Sequence, residues 1–287
     1  MGGITYKTQR RITNFIFLVP ASALFLMWVI IPFVQGIPIS FTSWDGLSKT
    51  REFTGIDNYA KMLTQGDFWL PLKNTVFYTV LATAGANVLG LLLAMGILRS
   101  TRLNNALRTV FFMPHVLSVV LCAYIWKYMY SDIIYRYLAI NSPLGSPEYA
   151  VIALAVIAIW RDAGYGMIIY IAGLKMVPED YYEAARVEGA GALSRFFKIT
   201  LPLIVPSITA NVILMLSWGL KQFDLVMAGT GGGPGKATET LAIFIYRNIF
   251  EYYAVGYGQA ASVLFTIFVT VMSSSIAYVL RKREVEY

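Results

Sequence analysis

Long uncharged stretches alternate with clusters of charged residues along this chain. No Lys, Arg, Asp or Glu occurs between Arg11 and Asp45. Four later stretches are equally free of charge: Lys73 to Arg99, Arg108 to Lys127, Lys198 to Lys221 and Glu251 to Arg281. A helix needs about 20 mostly apolar residues to cross the hydrocarbon core of a bilayer. Each stretch therefore predicts one membrane-spanning helix.

A sixth apolar stretch, from about Tyr149 to Leu174, carries Arg161 and Asp162 near its middle. The apolar residues run continuously in all six stretches, without the alternation of a membrane β-barrel. We predict an all-α, polytopic membrane protein with one transmembrane domain over residues 1–287. Its helices fall near residues 13–39, 74–98, 108–130, 149–174, 202–223 and 257–280, and a loop at 175–201 joins the fourth and fifth.

The composition agrees with a membrane protein. Hydrophobic residues make up 57% of the chain and charged residues 14%, against about 45–50% and about 25% in soluble domains. The net charge is +7, but no basic patch interleaved with aromatics indicates a nucleic-acid partner. Thirteen Lys and Arg residues fall on one side of the predicted bundle and eight on the other. By the positive-inside rule, both termini are predicted to be cytoplasmic.

The chain has one cysteine, Cys122, and one histidine, His115. A structural zinc site needs about four such ligands, so we predict no metal site. Both residues lie in an apolar stretch. We expect Cys122 to be a small packing residue and His115 to be a hydrogen-bonded helix histidine rather than a ligand.

The segment Thr230–Ala237 reads TGGGPGKA and resembles the phosphate-binding loop G-x-x-x-x-G-K-[ST]. Thr230 replaces the first glycine, and Ala237 replaces the hydroxyl that would hold magnesium. The segment also falls in a predicted external loop, away from cytoplasmic ATP. A glycine-rich turn explains it better, and we predict that this chain binds no cofactor.

The loop between the fourth and fifth predicted helices contains a short helix of its own. Pro178 suits its first turn, Glu179 complements its positive N-terminus, and Gly189 marks its end. Positions i, i+3, i+4 and i+7 on one face are Tyr181, Ala184, Ala185 and Glu188. This face is small in its middle, which allows another backbone to approach closely. The alternative is a surface helix packed on its own bundle.

The same loop follows a longer pattern of Glu183-Ala184-Ala185, three residues, Gly189, nine residues, Ile199, one residue and Leu201-Pro202. This pattern resembles the EAA signature of binding-protein-dependent ABC-transporter permeases, although Glu188 stands where the family usually has Asp. Three other segments resemble the sugar branch of that family: Phe53 to Tyr59, Phe112 to Pro114, and Gly232 to Thr240.

The resemblance implies the membrane-spanning permease subunit of an ATP-driven importer in a bacterial cell membrane, for an oligosaccharide, a maltose-type sugar or glycerol phosphate. It implies a second homologous permease subunit, two copies of an ATPase subunit and an extracytoplasmic solute-binding protein as partners. ATP and Mg would be bound by the ATPase, so this chain is not expected to be an enzyme. The coupling helix that enters the ATPase would carry Glu183, Ala184, Ala185, Glu188 and Gly189.

Charged residues inside a membrane helix are costly and usually face a cavity or a partner. On the fourth helix Arg161, Asp162 and Tyr165 share one face. The fifth helix has a similar stripe of Asn211, Met215, Trp218, Gly219 and Gln222. Aromatic rings and polar groups suit a sugar, so we predict a substrate path formed by Arg161, Asp162, Tyr165, Trp218 and Gln222. Two alternatives stay open: a structural ion pair at Arg161 and Asp162, and ordinary packing at Trp218.

Two other function classes deserve comparison. A secondary transporter driven by an ion gradient often shows inverted repeats and broken helices, and no internal repeat is visible in the sequence. A membrane-embedded enzyme would need a nucleophile–base or paired-carboxylate constellation, and none stands out. We therefore favour the importer permease, and the ATP dependence of uptake would separate it from the others.

Overall fold

The computed structural model describes residues 6–282. Arg283, one of the basic residues assigned to the cytoplasm, and both chain ends lie outside this range. Within it, helices account for nearly all regular structure, and the β pairing is limited to one antiparallel bridge between Thr42 and Phe53. The prediction of an all-α fold is confirmed.

We number the helices in chain order and join segments that continue without a break. They are α1 (Tyr6–Phe25, Leu26–Ile30 and Ile31–Ile39), α2 (Asp57–Thr64), α3 (Trp69–Gly96), α4 (Arg102–Val116), α5 (Val119–Tyr128, Met129–Ile134 and Tyr135–Leu138), α6 (Ala150–Met176), α7 (Glu179–Val187), α8 (Ala192–Arg195, Phe196–Thr200 and Leu201–Leu203), α9 (Val205–Leu220), α10 (Asp224–Gly229), α11 (Leu241–Tyr246 and Arg247–Glu251) and α12 (Val255–Arg281).

Four of these helices are long and apolar enough to cross a membrane: α1, α3, α6 and α12. Two bent pairs, α4 with α5 and α8 with α9, bring the number to six if each pair counts as one span. The predicted number of about six agrees with the second count. Helix α3 begins at Trp69, five residues before the predicted start, because Pro71 is compatible with a first helical turn.

The described chain forms two compact units. One comprises residues up to Gln65 together with Ile245–Leu264, and the other comprises Gly66–Phe244 together with the chain from Phe265 onward. Every predicted site residue belongs to the second unit.

In the first unit, a tight turn follows α1. The Asp45 carboxylate accepts hydrogen bonds from the backbone N–H groups of Ser48 and Leu47 and from the Ser48 hydroxyl. These bonds favour the ionised form and lower the pKa of Asp45 from its ordinary value to about 2. The Asp45 carboxylate therefore stays ionised, and accepts these hydrogen bonds, over the whole physiological pH range.

In the second unit, α3, α4, α6 and α9 pack together. Helix α6 approaches α4 so closely that a Cβ at Gly164 would collide with the backbone oxygen of Phe111. The Tyr170 hydroxyl on α6 donates a hydrogen bond of 2.6 Å to Asn87 Oδ1 on α3. Small residues and buried hydrogen bonds are the usual means of joining helices in lipid.

The third predicted span is broken where α4 ends, and α5 leaves at an angle of 99°. Pro114 lies in the last turn of α4 and cannot donate a backbone hydrogen bond there. The backbone then becomes extended at Leu117 and Ser118. Non-helical backbone at membrane depth is tolerated where it is buried in protein or lines a cavity. The break therefore points to the functional site.

Candidate functional site

A cluster of polar side chains lies where α6 passes the break after α4. The Asp162 carboxylate contacts the Arg161 guanidinium at 3.0 Å and His115 Nδ1 at 3.1 Å through the same oxygen, Oδ1. Arg161 and Asp162 are neighbours on α6, whereas His115 lies in the last turn of α4. The buried carboxylate thus balances a charge on its own helix and joins two helices at once.

Three rings stack around this cluster, and we call them the aromatic triad: His115 on α4, Tyr165 on α6 and Trp218 on α9. The centroid of the His115 ring lies 4.7 Å from that of Tyr165 and 5.5 Å from that of Trp218. The Tyr165 and Trp218 centroids are 5.1 Å apart. These separations fall in the favourable range for aromatic pairs. The triad therefore ties three helices together with flat ring surfaces.

A central cavity of about 560 Å³ opens beside the cluster. Its volume lies within the range of about 300–1,000 Å³ that is typical of small-molecule sites. Its lining comes from α4, α5, α6, α9, α10 and the non-helical segment between α9 and α10: His115, Val119, Arg161, Ser217, Trp218, Lys221, Gln222, Phe223 and Asp224. The cavity therefore offers a sugar-sized space with both ring faces and hydrogen-bonding groups.

The five residues predicted for the substrate path lie together in the structure. Arg161, Trp218 and Gln222 line the central cavity. Asp162, with Trp218 and Gln222, lines a smaller enclosed pocket, and Tyr165 contacts Trp218 edge to face. Their contact with substrate stays a prediction.

The predicted stripe on the fifth helix divides into two parts. Its later residues, Trp218 and Gln222, reach the central cavity. Earlier along the helix, the fully buried Asn211 donates to the Gly166 carbonyl oxygen at 3.1 Å, and the Met215 sulfur accepts from Asn87 at 3.2 Å. Asn211 thus joins α9 to α6 and Met215 joins α9 to α3, and neither residue lines the central cavity.

Sequence reasoning placed His115 as a hydrogen-bonded helix histidine and left it out of the substrate path. The hydrogen bond is present, but its partner is Asp162, 47 positions away, and the imidazole also lines the central cavity. One signal was available: His115 directly follows Pro114, and polar residues beside a proline in an apolar helix are frequent at functional breaks.

The short helix predicted in the loop is present as α7, Glu179–Val187, and its coupling role stays a prediction. An ion pair of 2.8 Å joins Glu179 in its first turn to Arg186 in its last turn. The Tyr182 hydroxyl lies 2.9 Å from the Thr200 hydroxyl on α8. Helix α7 is therefore braced internally and attached to the segment that leads into α9.

The end of α7 forms a Schellman motif. The N–H of Ala190 donates to the carbonyl oxygen of Ala185 at 2.8 Å, and the N–H of Gly189 donates to that of Arg186 at 3.1 Å. Gly189 has a φ of +76°, a left-handed conformation that glycine adopts without strain. The spacing between Ala185 and Gly189 thus corresponds to one geometric unit, the helix cap.

Four large apolar side chains are exposed on α7 and on the chain just before and after it, and we call them the loop apolar patch: Met176, Val187, Leu193 and Phe197. Val187 is 90% exposed, Met176 83% and Leu193 73%. Among the predicted coupling residues, Glu183, Ala184, Glu188 and Gly189 are exposed and Ala185 is half-buried. An exposed apolar cluster rimmed by polar residues is typical of a protein-binding surface.

Two further predictions concern bound groups. Among residues 6–282, no group of three or more His, Cys, Asp and Glu residues could hold a metal ion.

The segment Thr230–Ala237 follows helix α10 and forms turns, whereas a phosphate-binding loop follows a strand and opens a helix. The segment is therefore built as a turn between helices.

Residues 86–285 match the family described as the binding-protein-dependent transport system inner membrane component. This match covers most of the chain. The chain belongs to that family. The matched residues of this permease include the break after α4, the aromatic triad and α7 with its cap, so the two sites described above lie within the part that defines the family.

Two relatives align over most of the permease. The trehalose/maltose transport system permease protein of Thermococcus litoralis is 30% identical over 92% of this chain and 92% of its own. The sulfoquinovosyl glycerol transport system permease protein of Agrobacterium fabrum is 32% identical over 88% of this chain and 85% of its own. The alignments therefore include much of the N-terminal part that the family match leaves out.

A solved structure shares the fold of the permease. A chain of a bacterial ABC transporter involved in the import of the acidic polysaccharide alginate superposes with a TM-score of 0.80. It covers 96% of each chain at 22% sequence identity. The two chains thus share one fold over nearly their whole length.

Proposed function

We propose that this permease is the membrane-spanning subunit of an ABC importer and translocates a sugar, with an oligosaccharide as the best candidate. The observation that carries the proposal is the central cavity, where the ring of Trp218 adjoins donors and acceptors on Arg161 and Gln222. Rings stack on the C–H faces of sugars, while polar groups bind hydroxyls. The sugar substrates named for the relatives support the same class.

Energy comes from a separate ATPase that docks on α7. In this proposal Glu183, Ala184, Ala185, Glu188 and Gly189 form the coupling surface, and the loop apolar patch surrounds it. Two copies of the ATPase bind ATP and Mg, and the permease itself performs no hydrolysis. The attachment of α7 to Thr200, close to α9, supports this role because α9 carries Trp218.

A second homologous permease and an extracytoplasmic solute-binding protein complete the assembly. The span in α1, Thr13–Ile39, is apolar and largely exposed in the single chain. An apolar helix of this kind needs lipid or another protein around it. This exposure is consistent with a membrane-embedded partner.

Topology provides one test. Both termini are proposed to be cytoplasmic, with Lys49 and Lys236 on the external side. In a Cys122→Ala background, a membrane-impermeant maleimide should label Lys49→Cys and Lys236→Cys in intact cells, because both side chains are exposed. A tag after Tyr287 should react only after the cells are opened. Labelling of that tag from outside would contradict the arrangement.

ATP-driven uptake is the direct test of function. We expect a tagged permease to co-purify with an ATPase and a second permease. Proteoliposomes that contain this complex should accumulate labelled oligosaccharides only when the solute-binding protein and ATP are both present. ATP replaced by a non-hydrolysable analogue serves as the control. Uptake driven by an ion gradient without ATP would instead identify a secondary transporter.

A further inference from the structure

The charges around the central cavity balance one another. Its lining holds two cations, Arg161 and Lys221, and one anion, Asp224. The second anion, Asp162, contacts the Arg161 guanidinium at 3.0 Å. The two cations and the two anions sum to a formal charge of zero. The cavity therefore carries no surplus charge for a charged substrate.

This balance decides which sugars the cavity can hold. A carboxylate or phosphate that leaves water for a weakly polar site needs a countercharge that is not already engaged. The charge of Arg161 is engaged by Asp162, and any attraction from Lys221 is opposed by Asp224 in the same wall. A hydroxyl group, in contrast, can donate to a carboxylate or accept from a guanidinium. Uncharged sugars are thus bound without a net electrostatic cost.

We infer that the central cavity selects uncharged saccharides and rejects uronates and sugar phosphates. The inference rests on the proposed function, since it takes the cavity to be part of a sugar path. The shared fold does not decide the matter, because the structural neighbour is involved in the import of an acidic polysaccharide. The charges on the cavity wall determine whether a charged or an uncharged sugar is accepted. They act by excluding charged sugars as much as by binding uncharged ones.

The test compares two trisaccharides on the complex purified through this permease. The solute-binding protein is left out, because its own selectivity would otherwise decide the result. Saturation-transfer difference NMR should detect maltotriose through protons that contact the protein, and trigalacturonate should neither give a signal nor displace it. Displacement of maltotriose by an equal concentration of trigalacturonate would overturn the inference. Binding of neither sugar would show that the central cavity is not part of the sugar path and would overturn the inference with it, whereas ATP-dependent uptake would still test the importer function separately.

A charge variant sharpens the test. Asp224→Asn removes one anion from the cavity wall, and Asn is well tolerated near the start of a helix such as α10. We expect the affinity for trigalacturonate to rise about fivefold relative to that for maltotriose. Asp132→Asn is the matched control, because Asp132 lies on α5 outside the lining of the central cavity. Equal behaviour of the two variants towards trigalacturonate would contradict selection by the cavity charges.

Discussion

The substitution Gly189→Val is expected to abolish uptake while the permease still inserts and assembles with the second permease. Gly189 has a φ of +76°, which a β-branched residue adopts only with strain. The strain, about 1–2 kcal/mol, should open the cap that joins Ala190 to Ala185. A Cβ at Gly189 would meet no atom within 4 Å, so the rest of the bundle should be unaffected. Uptake in cells and co-purification of the ATPase are the measurements.

Gly191 provides the matched control, because it lies in the same loop with an ordinary φ of −67°. Gly191→Val should therefore retain most of the uptake. Cross-linking provides an independent test. In a Cys122→Ala background, the variant Val187→Cys should be joined to the ATPase by a cysteine-directed cross-linker, because Val187 is exposed. Cross-links confined to the permeases, together with normal uptake by Gly189→Val, would show that α7 is not the coupling element.

The second large effect is expected at the aromatic triad. Trp218→Ala removes a ring that lines the central cavity and contacts the rings of His115 and Tyr165. Truncation of an aromatic residue that anchors a binding site typically costs about 2 kcal/mol or more, so uptake at low sugar concentration should fall about ten- to a hundredfold. Trp28→Ala is the control, since Trp28 is 70% exposed on α1. Normal transport by the assembled Trp218→Ala variant would assign the ring to packing.

Asp162→Ala extends this test to the open alternative of a structural ion pair. Asp162 contacts both Arg161 and His115. If these three residues belong to the substrate path, the loss of Asp162 should weaken transport while the permease still assembles. Removal of one partner from a buried ion pair can also cost about 3–5 kcal/mol of stability. Failure of this variant to assemble would therefore favour the structural role.

The features that sequence predicted well are local in origin. The uncharged stretches predict helices because lipid leaves the backbone no other partner. The helical repeat placed Arg161, Asp162 and Tyr165 on one face, and that face does border the site. The end of α7 at Gly189 was predictable because the left-handed cap is set by a single residue.

The features that sequence missed depend on contacts between distant segments. The bond from His115 to Asp162 crosses between helices and has no counterpart in sequence spacing. The stripe on the fifth helix is continuous in sequence, yet Asn211 is buried against α6 while Trp218 reaches the cavity. The helical repeat identifies a face but cannot say how far along it a neighbouring helix extends. For the same reason, the 90% exposure of Val187 was not foreseen.

The cap at the end of α7 has a consequence for the entropy of association. A nine-residue helix in water is mostly unfolded on its own, and a partner that had to order it would lose binding energy at about 1–2 kcal/mol per residue. Here the cap at Gly189, the Glu179–Arg186 pair and the bond from Tyr182 to Thr200 hold the helix in the free chain. Any protein that docks on it meets a preorganised surface, so more of the contact energy remains to move the helices attached to it.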